Sequence, residues 1–277
     1  MIILNKELVS TDEAVIPFNN RGTYYGDGIF ETLRCYQNEV MFLEEHYFRL
    51  MSGMRILRME IPSFFTPEYF AEQTQRLLDV HQLKDHARLR ISVWRVAEGF
   101  YTPTNQSVGF SMQVSTLEGP YTNDRPKLIE LFKDHYIYAQ LLSSIKSTNK
   151  AVNILAGIYA SENDYDDMLL MNEKKMIVEA ISGNLFLVKD KVIKTPPIQD
   201  GCLDGIMREK VINQIKKMLN YEVVEETITP FELQRADELF TTNVIQGIQS
   251  VGQYRKKEYN KETADELLSL INDGLFK

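Results

Sequence analysis

With 277 residues, 44% hydrophobic and 25% charged, the chain has the composition of a globular protein able to bury one large core or two modest ones. Its 31 Lys and Arg against 39 Asp and Glu leave a net charge of −8, which excludes the broad basic surface that nucleic-acid phosphates require. Two cysteines, Cys35 and Cys202, make no disulfide framework and stand in no zinc-like spacing. The opening MIILNKELVSTDEAV lacks a basic n-region followed by a long apolar run, and no stretch approaches the roughly 20 apolar residues of a membrane span. A cytoplasmic protein with reduced thiols and no metal, membrane or nucleic-acid partner is expected.

Short apolar runs at Ile2 to Leu4 and Val15 to Phe18 predict strands, as does the β-prone run Ile29 to Tyr36, whose turn at Gln37, Asn38 and Glu39 leads into Val40 to Leu43 as a hairpin. Over 44–58, Tyr47, Leu50, Met51, Met54 and Leu57 recur at helical spacing and share one face. A second amphipathic helix is predicted from Pro67 to Val80, then strands at Ala87 to Val96 and Val108 to Ser115. In Leu117 to Lys127 a Gly, two prolines, Asn and Asp break the periodicity and mark a linker. Beyond it come a strand at Leu128 to Phe132, a helix at Asn149 to Asn163, and strands at Met168 to Met171, Met176 to Val178 and Asn184 to Val188. A helix from Gly205 to Leu219 should bury Ile206, Val211, Ile212, Ile215 and Leu219. Two α+β domains fit this order, a smaller one over 1–118 and a larger one over 119–277.

Four stretches carry chemistry. In RGTYYGDGIFETLR, Gly22, Gly26 and Gly28 imply a tight backbone path before a strand; a dinucleotide fingerprint is excluded by the missing third glycine and the strand that follows, while a plain turn remains open. In SSIKSTNKA, Lys146 follows an apolar segment, and desolvation would lower its pKa and free its amine for attack on a carbonyl; Lys150 would serve as well on this stretch alone. Glu179 sits among apolar neighbours in VEAISGNLFLV and, if buried, needs a partner such as a protonated heterocyclic nitrogen; an exposed strand end is the plainer alternative. In DGCLDGIMRE a Gly-containing turn opens a helix whose first amides would bind phosphate, as any loop-to-helix junction could.

In this order and spacing the four stretches resemble the class IV aminotransferases, pyridoxal 5'-phosphate (PLP) enzymes of fold type IV. The resemblance runs from Arg21 to about Tyr254 and rests on Gly26-Asp27-Gly28, Phe30-Glu31-Thr32, Arg34, His46 to Leu50, Lys146 to Asn149, Glu179 to Phe186, Gly205 to Arg208 and Ala236 to Asn243. It implies a two-domain α+β fold and a homodimer. It implies further that Lys146 holds PLP as a Schiff base and moves the substrate α-proton, that Glu179 faces the pyridine nitrogen, and that Leu203 packs on the ring. Arg49 and the amides of Ile206 and Met207 would take the phosphate, in the region where Asn243 and Val244 also lie. Arg90, with Arg95 as second choice, falls where relatives hold the substrate carboxylate; solvated strand charges are the alternative. Tyr25 would wall the pocket, and His46 is read as structural.

The family's amino-transferring members usually show Gly-Ile-Thr-Arg and a later Ser-x-Thr, whose hydroxyls help bind phosphate, where this chain has Met207 and Thr242-Asn243-Val244. Those departures look more like aminodeoxychorismate lyase, which eliminates pyruvate to give p-aminobenzoate for folate synthesis, and this is the leading expectation. An aminotransferase acting on branched-chain or D-amino acids with a 2-oxo acid is the alternative, and a non-catalytic binding relative is a third.

Overall fold

The computed structural model describes residues 1–17 and 19–276. The chain divides into two compact units, one made of Met1–Gly119 with Ile145–Asn149, the other of Pro120–Ser144 with Lys150–Lys277.

In the first unit β1 (Ile2–Leu4) and β2 (Glu7–Val9) form a hairpin. Then come α1 (Arg21–Tyr25), β3 (Gly28–Tyr36), β4 (Glu39–Val40), α2 (Leu43–Ile56), α3 (Pro67–His81), β5 (His86–Arg95) and β6 (Val108–Thr116). The six strands lie in the order β2-β1-β6-β5-β3-β4. Strict alternation along β5 explains the layering: Ala87, Leu89, Ile91 and Val93 enter one core with Leu50, Met51 and Met54 of α2 and Phe70, Leu77 and Leu78 of α3. Arg88, Arg90, Ser92 and Trp94 point to the opposite, open face and are only partly buried.

The outer edge of β3 is shared. Its C-terminal end pairs with β4, at Cys35↔Val40 and Tyr36↔Glu39. Its N-terminal end takes the strip 145–149: the Phe30 amide donates to the Lys146 carbonyl at 2.9 Å and the Thr148 amide to the Gly28 carbonyl at 2.9 Å. This pairing carries Lys146 out of the expected C-terminal domain and into the first unit.

The second unit contains β7 (Lys127–Leu131), α4 (Ala151–Glu162), β8 (Asp167–Met171), β9 (Ile177–Ala180), β10 (Asn184–Lys189), β11 (Val192–Thr195), α5 (Ile206–Ile215), β12 (Glu222–Glu225), α6 (Pro230–Leu233), β13 (Glu238–Asn243), β14 (Gly247–Tyr254), β15 (Lys257–Glu258) and α7 (Glu262–Leu275). The main strand order is β12-β11-β10-β13-β14-β7-β8-β9, and β9 returns to pair with β10 at Asn184↔Glu179. That last pairing closes six strands into a ring and buries Glu179 on it.

The expected strand at Val15 to Phe18 is absent over Val15–Pro17, where Val15 is 77% exposed; Phe18 lies outside the described residues. The strand after the first hairpin turn is cut to Glu39–Val40, because Phe42 at φ 56° already turns the chain into α2. The helix expected over 205–219 ends at Ile215, and Leu219 is fully exposed in the return towards β12, which runs parallel to β11.

Candidate active site

The lysine strip explains the glycine-rich turn. Thr148 Oγ1 donates to the Gly26 carbonyl at 2.8 Å, and Asn149 Nδ2 reaches the same oxygen at 3.3 Å. Gly26 has φ 61°, and a Cβ on it would lie 2.5 Å from Asn149 Oδ1, so both the conformation and the close approach call for glycine. Lys146 thus leaves a strip clamped on both sides, with its Nζ 4.7 Å from the centre of the Phe30 ring. The Arg90 guanidinium lies 4.1 Å from the centre of that same ring. Phe30, which the sequence reading placed in a motif without giving it a role, therefore gathers the lysine amine and an arginine at one aromatic ring. Lys150, the alternative lysine, precedes α4 in the other unit.

Arg95 has different work. It sits on the core side of β5, with Nε 2.9 Å from Asp27 Oδ2 and Nη2 2.6 Å from the Leu57 carbonyl, and Nη1 bonds the Arg58 carbonyl and Gln106. Arg21 Nε bonds the same Asp27 oxygen at 2.8 Å. Burial raises the Asp27 pKa, but bonds and charge from Arg95 and Arg21 outweigh it and hold the carboxyl below its ordinary range. An arginine whose three nitrogens are spent on Asp27 and backbone carbonyls cannot also receive a substrate, so Arg95 is corrected from carboxylate candidate to anchor of the GDG turn. Tyr25 is partly buried beside that anchor, with its ring centre 4.9 Å from the Arg21 guanidinium and 5.7 Å from Tyr101.

Arg49 projects from α2 into a pair with buried Glu31: Nε to Oε1 is 2.7 Å and Nη2 to Oε2 is 2.6 Å. His46, one turn earlier, meets Glu31 Oε2 through Nδ1 at 2.8 Å. Burial pushes the Glu31 carboxyl up, and the charge and bonds of Arg49, with the bond from His46, more than reverse this and hold it at about 2. An ionised Glu31 accepts only, so His46 is the donor. Burial, opposed by Glu31 and aided by the charges of Arg49 and Lys146, lowers the His46 pKa and keeps the ring neutral. The two-point grip of Glu31 fixes the plane of the Arg49 guanidinium.

In the second unit Glu179 is 8% exposed, and its Oε2 accepts from the Leu203 amide at 2.9 Å. What the structure shows of Leu203 is therefore a backbone bond that orients the carboxylate. Asn184, paired across from Glu179, donates through Nδ2 to the Leu203 carbonyl at 2.8 Å. A Cβ on Gly205 would come within 1.9 Å of Asn184 Oδ1. The chain enters α5 through that gap without a side-chain cap, leaving the amides of Ile206 and Met207 at an uncapped helix start while both side chains are buried. Thr242, opposite Asn184 on β13, has a buried hydroxyl with no hydrogen-bond partner among the described residues. An uncapped helix start and an orphaned hydroxyl attached to one asparagine suit a phosphate, and a buried carboxylate suits a protonated ring nitrogen, so the residues present fit PLP.

Asn243 and Val244, expected near the phosphate, lie where β13 turns into β14. Asn243 Oδ1 accepts from the amides of Ile245 and Gln246 at 2.9 and 2.8 Å, and the Val244 carbonyl accepts from the Tyr121 hydroxyl at 2.8 Å, so these groups build the turn between β13 and β14. Thr242, which the sequence reading counted among the departures, carries its buried hydroxyl two positions before Val244. Cys202 is buried and its thiol is pushed up to about 12 by burial and by the Glu179 charge, which makes it inert.

A family model described as Amino-transferase class IV matches residues 28–254. A Methanocaldococcus jannaschii protein named "Putative branched-chain-amino-acid aminotransferase" is 31% identical over 98% of this chain and 94% of its own length. The chain belongs to the class IV aminotransferase family. As a member it is a PLP-dependent enzyme of fold type IV. Staphylococcus aureus D-alanine aminotransferase is 27% identical over 100% of this chain and 96% of its own. Among solved structures, Escherichia coli branched-chain amino acid aminotransferase superposes with TM-score 0.89 at 22% identity, over 100% of this chain and 94% of that one. A Legionella pneumophila structure named "Putative 4-amino-4-deoxychorismate lyase" superposes with TM-score 0.81 at 24% identity, over 95% of this chain and 96% of that one. Among the described residues no helix is long and apolar enough to cross a membrane.

Proposed function

We propose that this class IV enzyme is an aminotransferase moving an amino group between a small amino acid and a 2-oxo acid. The observation that carries the reading is Phe30 with both the Lys146 amine and the Arg90 guanidinium near its ring, at 4.7 and 4.1 Å from the ring centre. An amine that can take an α-proton and a cation that can receive a carboxylate are gathered at one side chain. Full-length likeness to proteins named for branched-chain and D-alanine transamination supports the same class.

Bound PLP supplies an electron-accepting ring that stabilises negative charge at the substrate α-carbon. Lys146 anchors the cofactor, and its Nζ takes and returns the α-proton. Glu179, held by the Leu203 amide, keeps the ring nitrogen protonated. Arg49, set by Glu31, takes phosphate oxygens, as do the amides of Ile206 and Met207 and the Thr242 hydroxyl. Arg90 receives the substrate carboxylate, and Tyr25 closes the pocket wall.

Elimination from aminodeoxychorismate, the leading expectation from sequence, becomes the second reading. It rested on two lost phosphate hydroxyls; these bear on how the phosphate is held and say little about the fate of the α-carbon, and Thr242 carries a hydroxyl of its own. The buried, hydroxyl-free Met207 is the one observation that favours it. A cytoplasmic homodimer completes the proposal, supported by an apolar face on α4 where Ile154, Leu155, Ile158 and Tyr159 are exposed.

Protein reconstituted with PLP should show an absorbance band near the visible edge that disappears in Lys146→Ala. It should form glutamate from 2-oxoglutarate with valine or D-alanine as donor. Turnover confined to release of pyruvate and p-aminobenzoate from aminodeoxychorismate would replace transamination with the lyase reaction, and no band at all would remove both.

A further inference from the structure

The part of the linker that belongs to the second unit is strapped down rather than loose. Ahead of β7, Tyr121 and Asn123 are buried while Pro120, Thr122 and Asp124 are exposed, the alternation of an extended segment laid on a surface. That surface is β14: Gln249 Nε2 donates to the Thr122 carbonyl at 2.6 Å, the Ser250 amide donates to Asn123 Oδ1 at 2.7 Å, and Asn123 Nδ2 donates to Ser250 Oγ at 2.7 Å. Tyr121 begins the strap at the turn between β13 and β14. Its ring fills the space that a side chain on Gly247 would take, since a Cβ there would come 2.5 Å from Tyr121 Cγ. Its hydroxyl donates to the Val244 carbonyl at 2.8 Å. The end of α7 holds the same residue: Asn272 Nδ2 donates to the Tyr121 carbonyl at 2.9 Å, and the Phe276 ring meets the Tyr121 ring edge-on with centres 5.2 Å apart. The turn so gripped ends the strand of Thr242, which pairs with Ile248 one rung before Asn243 pairs with Gly247. Asn243 ties the turn from within, through Oδ1, and Tyr121 ties it from outside the hairpin.

We infer that Tyr121 is a positioning residue for the cofactor phosphate: its hydroxyl fixes the turn between β13 and β14 and thereby the aim of the Thr242 hydroxyl, and the end of α7 keeps Tyr121 in place to do so. The inference rests on the proposed role of Thr242 at the phosphate, and it gives a part in cofactor retention to the linker and the last helix, neither of which touches the cofactor in that reading. A buried tyrosine hydroxyl needs an acceptor, and this one takes a carbonyl two residues from Thr242. Hydrogen bonds weaken steeply as their angle and length depart from the optimum. A turn released to shift slightly would therefore lose the phosphate contact while the hairpin and its sheet stay folded.

Titration of the full-length chain, freed of cofactor, with PLP and with pyridoxal, which lacks the phosphate, tests this. Tyr121→Phe keeps the ring in its seat and removes the hydroxyl alone. It should weaken PLP binding about fivefold, the worth of one neutral hydrogen bond, and leave pyridoxal within about twofold of the wild type. Because Tyr121 acts through Thr242, Tyr121→Phe combined with Thr242→Val should bind PLP no more weakly than Thr242→Val alone. Should the phenylalanine variant not fold, Asn272→Ala, which takes away the donor to the Tyr121 carbonyl, carries the same comparisons. Wild-type affinity for PLP, equal losses for PLP and pyridoxal, or losses that add in the double variant overturn the inference. Any of these beside a Thr242→Val variant that has lost PLP affinity leaves the phosphate reading standing and removes the role of Tyr121 alone. PLP binding untouched by Thr242→Val sinks the phosphate reading itself and the inference with it.

Discussion

Glu31 is a fully buried carboxylate that only its partners make tolerable. Removing Arg49 leaves that charge uncompensated, so Arg49→Ala should cost about 3–5 kcal/mol in denaturant unfolding. It should also weaken PLP binding far more than binding of pyridoxal, which lacks the phosphate; equal losses for both would refute a phosphate role. The carboxyl is held at about 2 against an ordinary 4.5, so its stabilisation is complete above about pH 4.5 and drains away as pH falls towards 2. Glu31→Gln should flatten melting temperature against pH across that acid window. At this scale a sequence motif names residues, such as Lys146, Arg49 and Glu179, without naming what surrounds them. The sequence reading failed for Arg95, because alternation separates Arg90 from Arg95 without saying which face is the core, and Asp27 lies 68 residues away. It named Phe30 and Thr242 without giving either a role, because their importance comes from what stands near the ring and from a hydroxyl left without a partner among the described residues.

The start of α5 shows how an element can be shaped for a ligand rather than for itself. Thr242 carries a buried polar atom that nothing among the described residues satisfies, a cost of about 1–3 kcal/mol. Thr242→Val should therefore leave the cofactor-free protein as stable as the wild type or about 1 kcal/mol more so, while weakening PLP binding roughly tenfold. Spectrophotometric titration with PLP and thermal melts would check the two halves; a variant that loses stability and binds PLP normally would refute the assignment. Helices α2 and α3 were legible to within two residues because their apolar faces repeat cleanly. The end of α5 was not, since Leu219 continues the helical spacing into a turn that only the need to reach β12 explains. The second half also hid α6, α7 and every strand after β10, although Ala264, Leu267, Leu268 and Ile271 mark α7 by the same periodicity that revealed α2.

The proposed dimer concerns the molecule as a whole. Ile154 and Ile158 lie one turn apart on α4 and are 60% and 50% exposed, in a helix whose opposite side already buries Ala156 and Ala160. Apolar residues so placed are characteristic of a covered surface. Sedimentation of the wild type at micromolar concentration should give about twice the 32.1 kDa chain mass, and Ile154→Glu with Ile158→Glu should halve it. A wild type that sediments as a single chain would end the proposal. No periodicity in the sequence distinguishes such a face from a core face, because both read as apolar positions on a helix.

The strip at 145–149 has a consequence for the gene as much as for the protein. The chain changes unit after Gly119, after Ser144 and again after Asn149, so the polypeptide threads between the two units three times. Neither unit corresponds to one uninterrupted stretch of coding sequence. A truncation at Gly119 would strip Gly28 and Phe30 of their partners on the outer edge of β3, laying bare a raw edge prone to aggregation, and would discard the lysine as well. Recombination that swapped one half for a foreign counterpart would bring in the lysine strip with the wrong partner, and would have to refit five residues against a β3 they had never met. Inheritance of the two halves is thereby tied together by a segment shorter than most loops.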